Sequence, residues 1–448
     1  VKQQARHTIA KAQQVLAQPG FRKYLFNTGW MLGEKLLRLF SGLFVGVYVA
    51  RYLGPAQYGM LNYAISVVAL VSSVASLGLD SLVVREIVRD DGTRRDRIMG
   101  TAFLLHLVAT VVLYLLLLIL VMQTENDERA RHVIFVITIG SAFECFYVIE
   151  YFFQAKTKSK YVALCQAIAL IIVSITRLML VFTGAPLVWF AASYSLDFVC
   201  ISLGLLFLYN RDFGLSHWKF DAAIARGILR DAWPLVIGSL SITIYMRIDQ
   251  IMVRWMLGEE ANGYYGVAVR LSELWNFIPM AICGSLFPAV LNAKVIDENL
   301  YTRRLQSLYS LMLLMSIGIA IPLTFLSDFV VTLLFSEAYL PAGNVLMLYV
   351  WSGVFTFLGV ANGKWIVAEN LLIFRMWSLI SSCVLNIVLN LVLIPAIGLN
   401  GAAVATLLSY ALATYFSFAV TQRTRPMFWL MTRLLLNPVN LVKSILKH

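Results

Sequence analysis

An all-α polytopic membrane fold is predicted by three observations. Apolar residues occupy 60% of the 448 positions and Asp, Glu, Lys and Arg only 13%, too little polar surface for a soluble domain. The apolar residues gather in runs long enough to cross a hydrocarbon core, about 20 helical residues each. Within a run they are continuous rather than alternating in and out, which selects helices over a barrel.

In chain order the predicted spans cover roughly 25–50, 60–80, 98–122, 133–155, 161–183 and 187–209, then 233–257, 264–290, 306–326, 345–367, 377–397 and 402–422, about twelve in all. Pro234, Pro279, Pro288 and Pro322 are candidate kinks. A basic segment (1–22) precedes a first six-helix bundle (23–209). A polar linker (210–232) joins it to a second bundle (233–422), followed by a cytoplasmic or interfacial helix (423–448) in which Trp429, Leu434 and Leu441 mix with Arg433, Lys443 and Lys447.

Topology follows from the basic residues, which mark cytoplasmic loops. With the amino terminus inside, the inner segments hold Arg22 and Lys23, Arg85, Arg89, Arg94, Arg95 and Arg97, Lys156, Lys158 and Lys160, Arg211 to Arg230, then Lys294, Arg303, Arg304 and Arg375. The outer turns offer little beyond Arg51, Arg129 and Arg131. Both termini are expected in the cytoplasm, and no cleavable signal is expected in the first twenty residues, which lack an apolar core. The net charge of +12 is absorbed by this topology signal and by anionic lipid, leaving nothing for nucleic acid to explain. Cys145, Cys165, Cys200, Cys283 and Cys383 fall within predicted spans without paired spacing and read as small packing residues.

The functional signal is basic side chains inside apolar runs: Lys35, Arg38, Arg177, Arg247, Arg270 and Lys364. A charge at the bilayer centre costs about 2.5–3.5 kcal/mol even on insertion scales, so each must face a cavity, a partner or the interface. Together they suggest a cavity built for an anion. Glu34 stands four residues before Arg38 and can pair with it, Arg270 and Glu273 are three apart, and Arg177 and Lys364 lie near span ends where they can snorkel.

A weak internal repeat is the main architectural clue. Arg51-Tyr-Leu-Gly-Pro-Ala-Gln-Tyr-Gly59 is echoed by Trp255-Met-Leu-Gly-Glu-Glu-Ala-Asn-Gly-Tyr-Tyr-Gly266, with a Leu-Gly closing one span and a Tyr-Gly opening the next in both. Six spans separate the copies. An even number leaves the two bundles in the same orientation, related by a pseudo-twofold along the membrane normal, with a central cavity between them.

These residues carry a family resemblance. Arg51 to Gly59, then Leu77-Gly-Leu-Asp80 and Arg85, then Phe152-Phe-Gln-Ala-Lys156 leading to Lys160-Tyr161, resemble the Wzx-type O-antigen and exopolysaccharide flippases of the multidrug/oligosaccharidyl-lipid/polysaccharide exporter superfamily. Asp249-Gln250, Leu257-Gly258 and Phe287-Pro288 in the second half are similar to the same family. The resemblance implies a transporter of the bacterial inner membrane. It would carry an undecaprenyl-pyrophosphate-linked oligosaccharide from the cytoplasmic to the periplasmic leaflet, among membrane lipids and beside a polysaccharide polymerase and a chain-length regulator.

The residues suit that cargo, because Arg and Lys grip phosphates through charge-assisted hydrogen bonds. Arg38, Lys35, Arg177, Arg247, Arg270 and Lys364 are the expected pyrophosphate or sugar ligands. Phe143, Tyr147, Tyr151, Trp30, Tyr48, Tyr245 and Trp275 offer stacking faces for sugar, or simply pack the bundles. No cofactor or metal is expected. Gly359-Val-Ala-Asn-Gly-Lys-Trp365 is one residue short of a phosphate loop, has Trp where Ser or Thr is needed, and lies inside a span. A proton or sodium gradient is the expected drive, with Asp249, Asp80, Glu34 or Glu144 as the coupling carboxylate. No enzyme is expected either: the five histidines lack metal-ligand spacing and no nucleophile motif appears. The rival reading is a cation-coupled drug or metabolite exporter of the same superfamily, which would use acidic groups for cationic cargo.

Overall fold

The computed structural model describes residues 19–436 except Asp91. The described chain is helical, and eleven stretches are long and apolar enough to cross a membrane. The first of these, Gly33–Arg89, has 57 residues, well beyond the ~20 that one crossing needs. It is broken at Gly54, whose φ of 70° and ψ of 172° only glycine adopts without strain. Splitting it there gives the twelve spans expected from the sequence.

In chain order the helices are α1 (Pro19–Ala75), α2 (Leu79–Arg89), α3 (Arg95–Thr124), α4 (Glu128–Ser141), α5 (Val148–Ala155), α6 (Ser159–Phe182), α7 (Leu187–Phe213) and α8 (Ala222–Leu257). Then come α9 (Glu259–Glu273), α10 (Phe277–Ile296), α11 (Glu298–Phe335), α12 (Pro341–Tyr349), α13 (Ser352–Ala368), α14 (Leu372–Ile397), α15 (Leu399–Thr414) and α16 (Arg425–Leu436). The fourth and eighth spans each contain a 3-10 segment, Ala142–Tyr147 and Leu274–Asn276. Of the expected kinks, Pro234, Pro288 and Pro322 lie inside helices. Pro279 is in the first turn of α10, where a missing N–H costs no helical bond.

The chain divides into two compact units. The first holds residues up to 46 and 71–236; the second holds 47–70 and 237–448. Within the first, α4 and α6 lie along α7. Leu79, Leu82, Val83 and Ile87, spaced as one face of α2, close on Met99, Val148, Phe152 and Leu205. Here the observed boundary differs from the sequence reading, which placed a linker at 210–232. That stretch is bound into the first unit: Ile224, Ile228 and Ala232 join its core, Lys219 N donates to Asp96 O at 3.2 Å, and Trp218 Nε1 donates to Tyr209 OH at 3.2 Å.

Asp221 starts α8 by accepting from Ala223 N at 2.9 Å and Ile224 N at 3.2 Å. The Ile224 and Ala223 amides, helped by Arg97 and Arg94, hold its carboxyl below the usual carboxylate range. A lowered folded value means that the cap contributes fully above the ordinary Asp range and is lost as pH falls through that value. Asp221→Ala is accordingly expected to speed tryptic cleavage at Arg226 in detergent-solubilised protein at neutral pH. An unchanged cleavage rate would show that the core contacts alone secure the segment.

The second unit is built around Phe287, Tyr301, Leu308, Tyr309, Phe357 and Leu358. The carboxy-terminal α16 packs into this core through Met427, Met431 and Leu434 and leaves Trp429 and Leu436 exposed; residues 437–448 and 1–18 lie outside the described residues. The sequence reading placed 47–70 with the first bundle, but its contacts are with the second unit. They come from the repeat. Gly258 repeats the Gly54 conformation, with φ 95° and ψ −179°. A methyl on Gly59 would fall 1.9 Å from Glu259 O, and one on Gly263 would fall 2.0 Å from Pro55 O. The two copies are thus in backbone contact. Asn262 Nδ2 reinforces it by donating to Gly59 O at 2.8 Å, as does Ser66 Oγ by donating to Gln250 Oε1 at 2.7 Å. Arg51 adds hydrogen bonds to the carbonyls of Leu333 and Leu334 at the end of α11. Cys145, Cys165, Cys283 and Cys383 are buried free thiols that fill small spaces.

Candidate functional site

Each unit contains a polar cavity inside its own bundle, and the two cavities differ in charge. The first unit's cavity, of about 440 Å³, is lined by Glu34, Lys35, Arg38, Glu150 and Asp197 together with Tyr147, Gln154 and Gln166. Arg38 is held by two carboxylates: its Nε lies 2.8 Å from Glu34 Oε1 and its Nη1 3.4 Å from Asp197 Oδ2. Glu150 accepts from Gln154 Nε2 at 3.0 Å and Gln166 Nε2 at 3.3 Å. Asp197 Oδ1 is buried with no hydrogen-bond partner. Three carboxylates against two cations leave this cavity acidic, although sequence reading had singled out chiefly its bases. Glu150 and Asp197 were missed because they come from separate spans with no local spacing to announce them.

Arg177 does not line that cavity. Its Nε donates to Ser193 Oγ at 2.9 Å and its guanidinium sits 4.0 Å over the Tyr194 ring, so α7 satisfies it by hydrogen bonding and cation–π attraction. Asp80 is exposed in the first turn of α2, and Glu144 sits in the 3-10 segment of the fourth span beside Ser72.

In the second unit, Arg270 Nη1 donates to Tyr58 OH at 3.0 Å, and Arg247 and Arg270 both lie near enough to Glu273 for their charges to act on it. Arg254 meets Glu259 at 3.2 Å and stacks 4.1 Å over Tyr63. Lys364 belongs to the second cavity, of about 370 Å³, together with Arg375, Tyr245, Asn362, Ser378 and Thr414. Of the expected stacking aromatics, Tyr147 reaches the first cavity and Tyr245 the second, while Tyr48 is 54% exposed.

Asp249 occupies a separate nest, 3% exposed. It accepts from Tyr265 OH at 2.9 Å, from Asn390 Nδ2 at 2.5 Å and from Thr406 Oγ1. Asn390 Oδ1 is buried there without a hydrogen-bond partner, and an unsatisfied buried polar atom marks a place where a further ligand would lower the free energy. The donor set is one carboxylate plus hydroxyl and amide oxygens, and no cluster of three His, Cys, Asp or Glu exists among the described residues. One carboxylate balances one positive charge, which fits a proton or a monovalent hard cation.

Ser378, Ser382, Asn386 and Asn390 recur every four residues on α14, all nearly or fully buried. Thr406, Tyr410 and Thr414 do the same on α15, and Tyr245 stands one turn before Asp249 on α8, stacked on Tyr410 at 4.3 Å between ring centroids. Four residues are about one helical turn. Three helices therefore carry a continuous polar seam from the second cavity to the Asp249 nest. The four-residue period of Ser and Asn inside an apolar run was the sequence signal that could have revealed it.

The comparisons agree with this architecture. The chain is 23% identical over 385 residues to the probable low-salt glycan biosynthesis flippase Agl15 of Haloferax volcanii, covering 83% of this chain and 78% of that protein. It is 24% identical over 395 residues to the probable flippase AglR of the same organism, covering 85% and 80%. Its fold is similar to that of the lipid II flippase MurJ in an inward closed conformation, with a TM-score of 0.72, 13% identity, and coverage of 94% of this chain and 97% of that one. The two relatives are named as probable flippases and the solved structure as a flippase; such homologues point to a non-enzymatic transporter, and the apolar helices make the chain a multi-pass membrane protein. The family described as polysaccharide biosynthesis protein matches residues 25–294, more than half of the chain, and bears out the Wzx-type resemblance. The chain belongs to the polysaccharide biosynthesis protein family.

Proposed function

We propose that the protein flips a polyprenyl-pyrophosphate-linked oligosaccharide from the cytoplasmic to the outer leaflet of the cytoplasmic membrane by alternating access, with an undecaprenyl carrier in a bacterial host. The observation that carries the reading is the family match, joined by relatives over four-fifths of the chain, one named as a probable glycan biosynthesis flippase and the other as a probable flippase. The chemistry agrees with it. A phosphate-linked sugar cannot cross hydrocarbon unaided, and its polar head needs hydrogen-bonding side chains within the membrane. Lys35 with Gln154 and Gln166 offers donors to sugar hydroxyls in the first cavity, while Lys364 in the second cavity and Arg247 and Arg270 near Glu273 are the cations proposed for phosphate.

Asp249 is the proposed coupling carboxylate. A proton or sodium ion bound there in one state and released in the other would give the cycle its direction, since a ligand shifts a conformational equilibrium only by its differential affinity. Release on the outer side would require the backbone contact between the repeat copies at Gly59 and Gly263 to part.

The acidic cavity of Glu34, Glu150 and Asp197 favours a second reading, export of a cationic drug or metabolite. The discriminating experiment measures polyprenyl-linked oligosaccharide on each face of the membrane in cells lacking the protein and other flippases. Accumulation on the cytoplasmic face, relieved by the wild-type gene, is expected. An unchanged distribution, with efflux of organic cations dependent on the protein, would replace the flippase by the exporter.

A further inference from the structure

The second cavity holds two cations and, among the residues that line it, no carboxylate. Lys364 is exposed on α13, and Arg375 is half-buried on α14. The Arg375 guanidinium rests on Gly363: a methyl there would lie 3.5 Å from Nη1 and 3.7 Å from Cζ. Lys364 and Arg375 both line the cavity, so two helices each bring one charge to it. Neither cation forms an ion pair among the described residues. Arg38, Arg254 and Lys294, by contrast, each meet a carboxylate. Two like charges in one cavity are costly unless an anion joins them.

The cavity's neutral polar groups are engaged in the fold. Ser378 Oγ donates to Ala413 O at 2.8 Å, Thr356 Oγ1 to Ser352 O at 3.1 Å, and Asn362 Nδ2 to Thr414 O at 2.7 Å. The donors left for a ligand are therefore cationic. Beside them the wall is hydrocarbon, from Ile242, Val360, Val367, Leu379 and Phe418. Paired cations next to an apolar wall suit an oxygen-rich anion attached to an aliphatic chain. The stretch around Lys364 is also the near-match to a nucleotide loop, but it is helical throughout, so its backbone N–H groups are spent within α13 and only the lysine side chain is free to meet a phosphate.

We propose that Lys364 and Arg375 form a phosphate-binding subsite of the second unit, which takes the phosphate end of the polyprenyl-linked cargo. The phosphate chemistry stands on this cavity alone; the identity of the lipid rests on the flippase reading. Arg375 counted in the sequence only as a marker of the cytoplasmic side, and that side is where the cargo must load.

The test uses the purified full chain in mixed micelles and follows the rise in Tm with added ligand, which reports binding to the folded state. Three probes are titrated: inorganic pyrophosphate, a polyprenyl monophosphate and phosphatidylglycerol. Arg375→Gln and Lys364→Gln are each expected to weaken binding of the effective probe at least about tenfold, one lost charge-assisted contact apiece. Arg230→Gln, on an exposed side chain, should change nothing. Lys364→Gln alters an exposed residue and keeps the test decisive if Arg375→Gln folds poorly. Response to inorganic pyrophosphate as well would assign recognition to the phosphate itself. Response to polyprenyl phosphate only would assign it to phosphate and chain together, and an equal response to phosphatidylglycerol would make the source a phospholipid headgroup. All three support the subsite if the variants lose them. Wild-type affinity in the Lys364→Gln/Arg375→Gln double variant, or no response to any probe, overturns it. A variant-sensitive phosphate site in a protein whose deletion leaves glycan lipid distributed normally would sink the flippase and spare the subsite.

Discussion

Asp249→Asn is expected to abolish the dependence of transport on an imposed ion gradient while leaving the protein folded. The substitution is isosteric, and the nest of Tyr265, Thr406 and Asn390 retains an acceptor oxygen at the same place. What disappears is the one negative charge able to bind a proton or sodium ion in a nest that holds no second carboxylate. Driving a two-state transporter from 1:99 to 99:1 takes about 5.5 kcal/mol of differential binding, and a neutral amide supplies almost none of it for a cation. In proteoliposomes carrying a fluorescent lipid-linked oligosaccharide, wild-type flux should rise with a sodium or proton gradient, and the variant should show only the slow, gradient-independent rate. Gradient-stimulated flux in Asp249→Asn would remove Asp249 from the coupling role and direct attention to Glu144 or Glu34. Comparing sodium with protons in the wild type identifies the ion.

Gly263→Val should destabilise the second unit more than any comparable change in an open stretch of helix. Even a methyl at this position would fall 2.0 Å from Pro55 O, and the group it meets is backbone, which cannot rotate away. Overpacking of this kind costs about 1–3 kcal/mol and sometimes more. A fall in Tm of several degrees is expected, at about 2–4 °C per kcal/mol for a large domain. Gly318→Ala, with no heavy atom within 4 Å of the added methyl, is the control and should match or slightly exceed the wild type. An equal Tm for Gly263→Val and wild type would mean that the repeat copies are not in contact in the membrane, and it would remove the step in which they part.

The sequence by itself determined the class, the spans and their punctuation. Hydrophobic run length is a local property, and nothing elsewhere in the chain can make a continuous apolar run comfortable in water. The same holds for Gly54 and Gly258: a Leu-Gly before a polar turn announces a left-handed stop, and both glycines take a positive φ. The repeat was legible because it rests on this local chemistry. Asp249 was also legible, since one carboxylate in an apolar run must have partners.

Only the tertiary structure decided who those partners are. Asn390 and Thr406 lie 141 and 157 residues from Asp249 in the chain, and Asp197 lies 159 residues from Arg38. A span's own sequence carries no record of the span that packs against it, so Arg38 read as a cation with one neighbouring partner, Glu34, where it is clamped between Glu34 and Asp197. Arg375 read as a loop marker where it lines one cavity with Lys364. Charge in a membrane protein is assigned its meaning by its counter-charge, and the counter-charge comes from another helix. The compact units were settled the same way: residues 47–70 join the second because two glycine-rich turns, far apart in sequence, fit backbone to backbone.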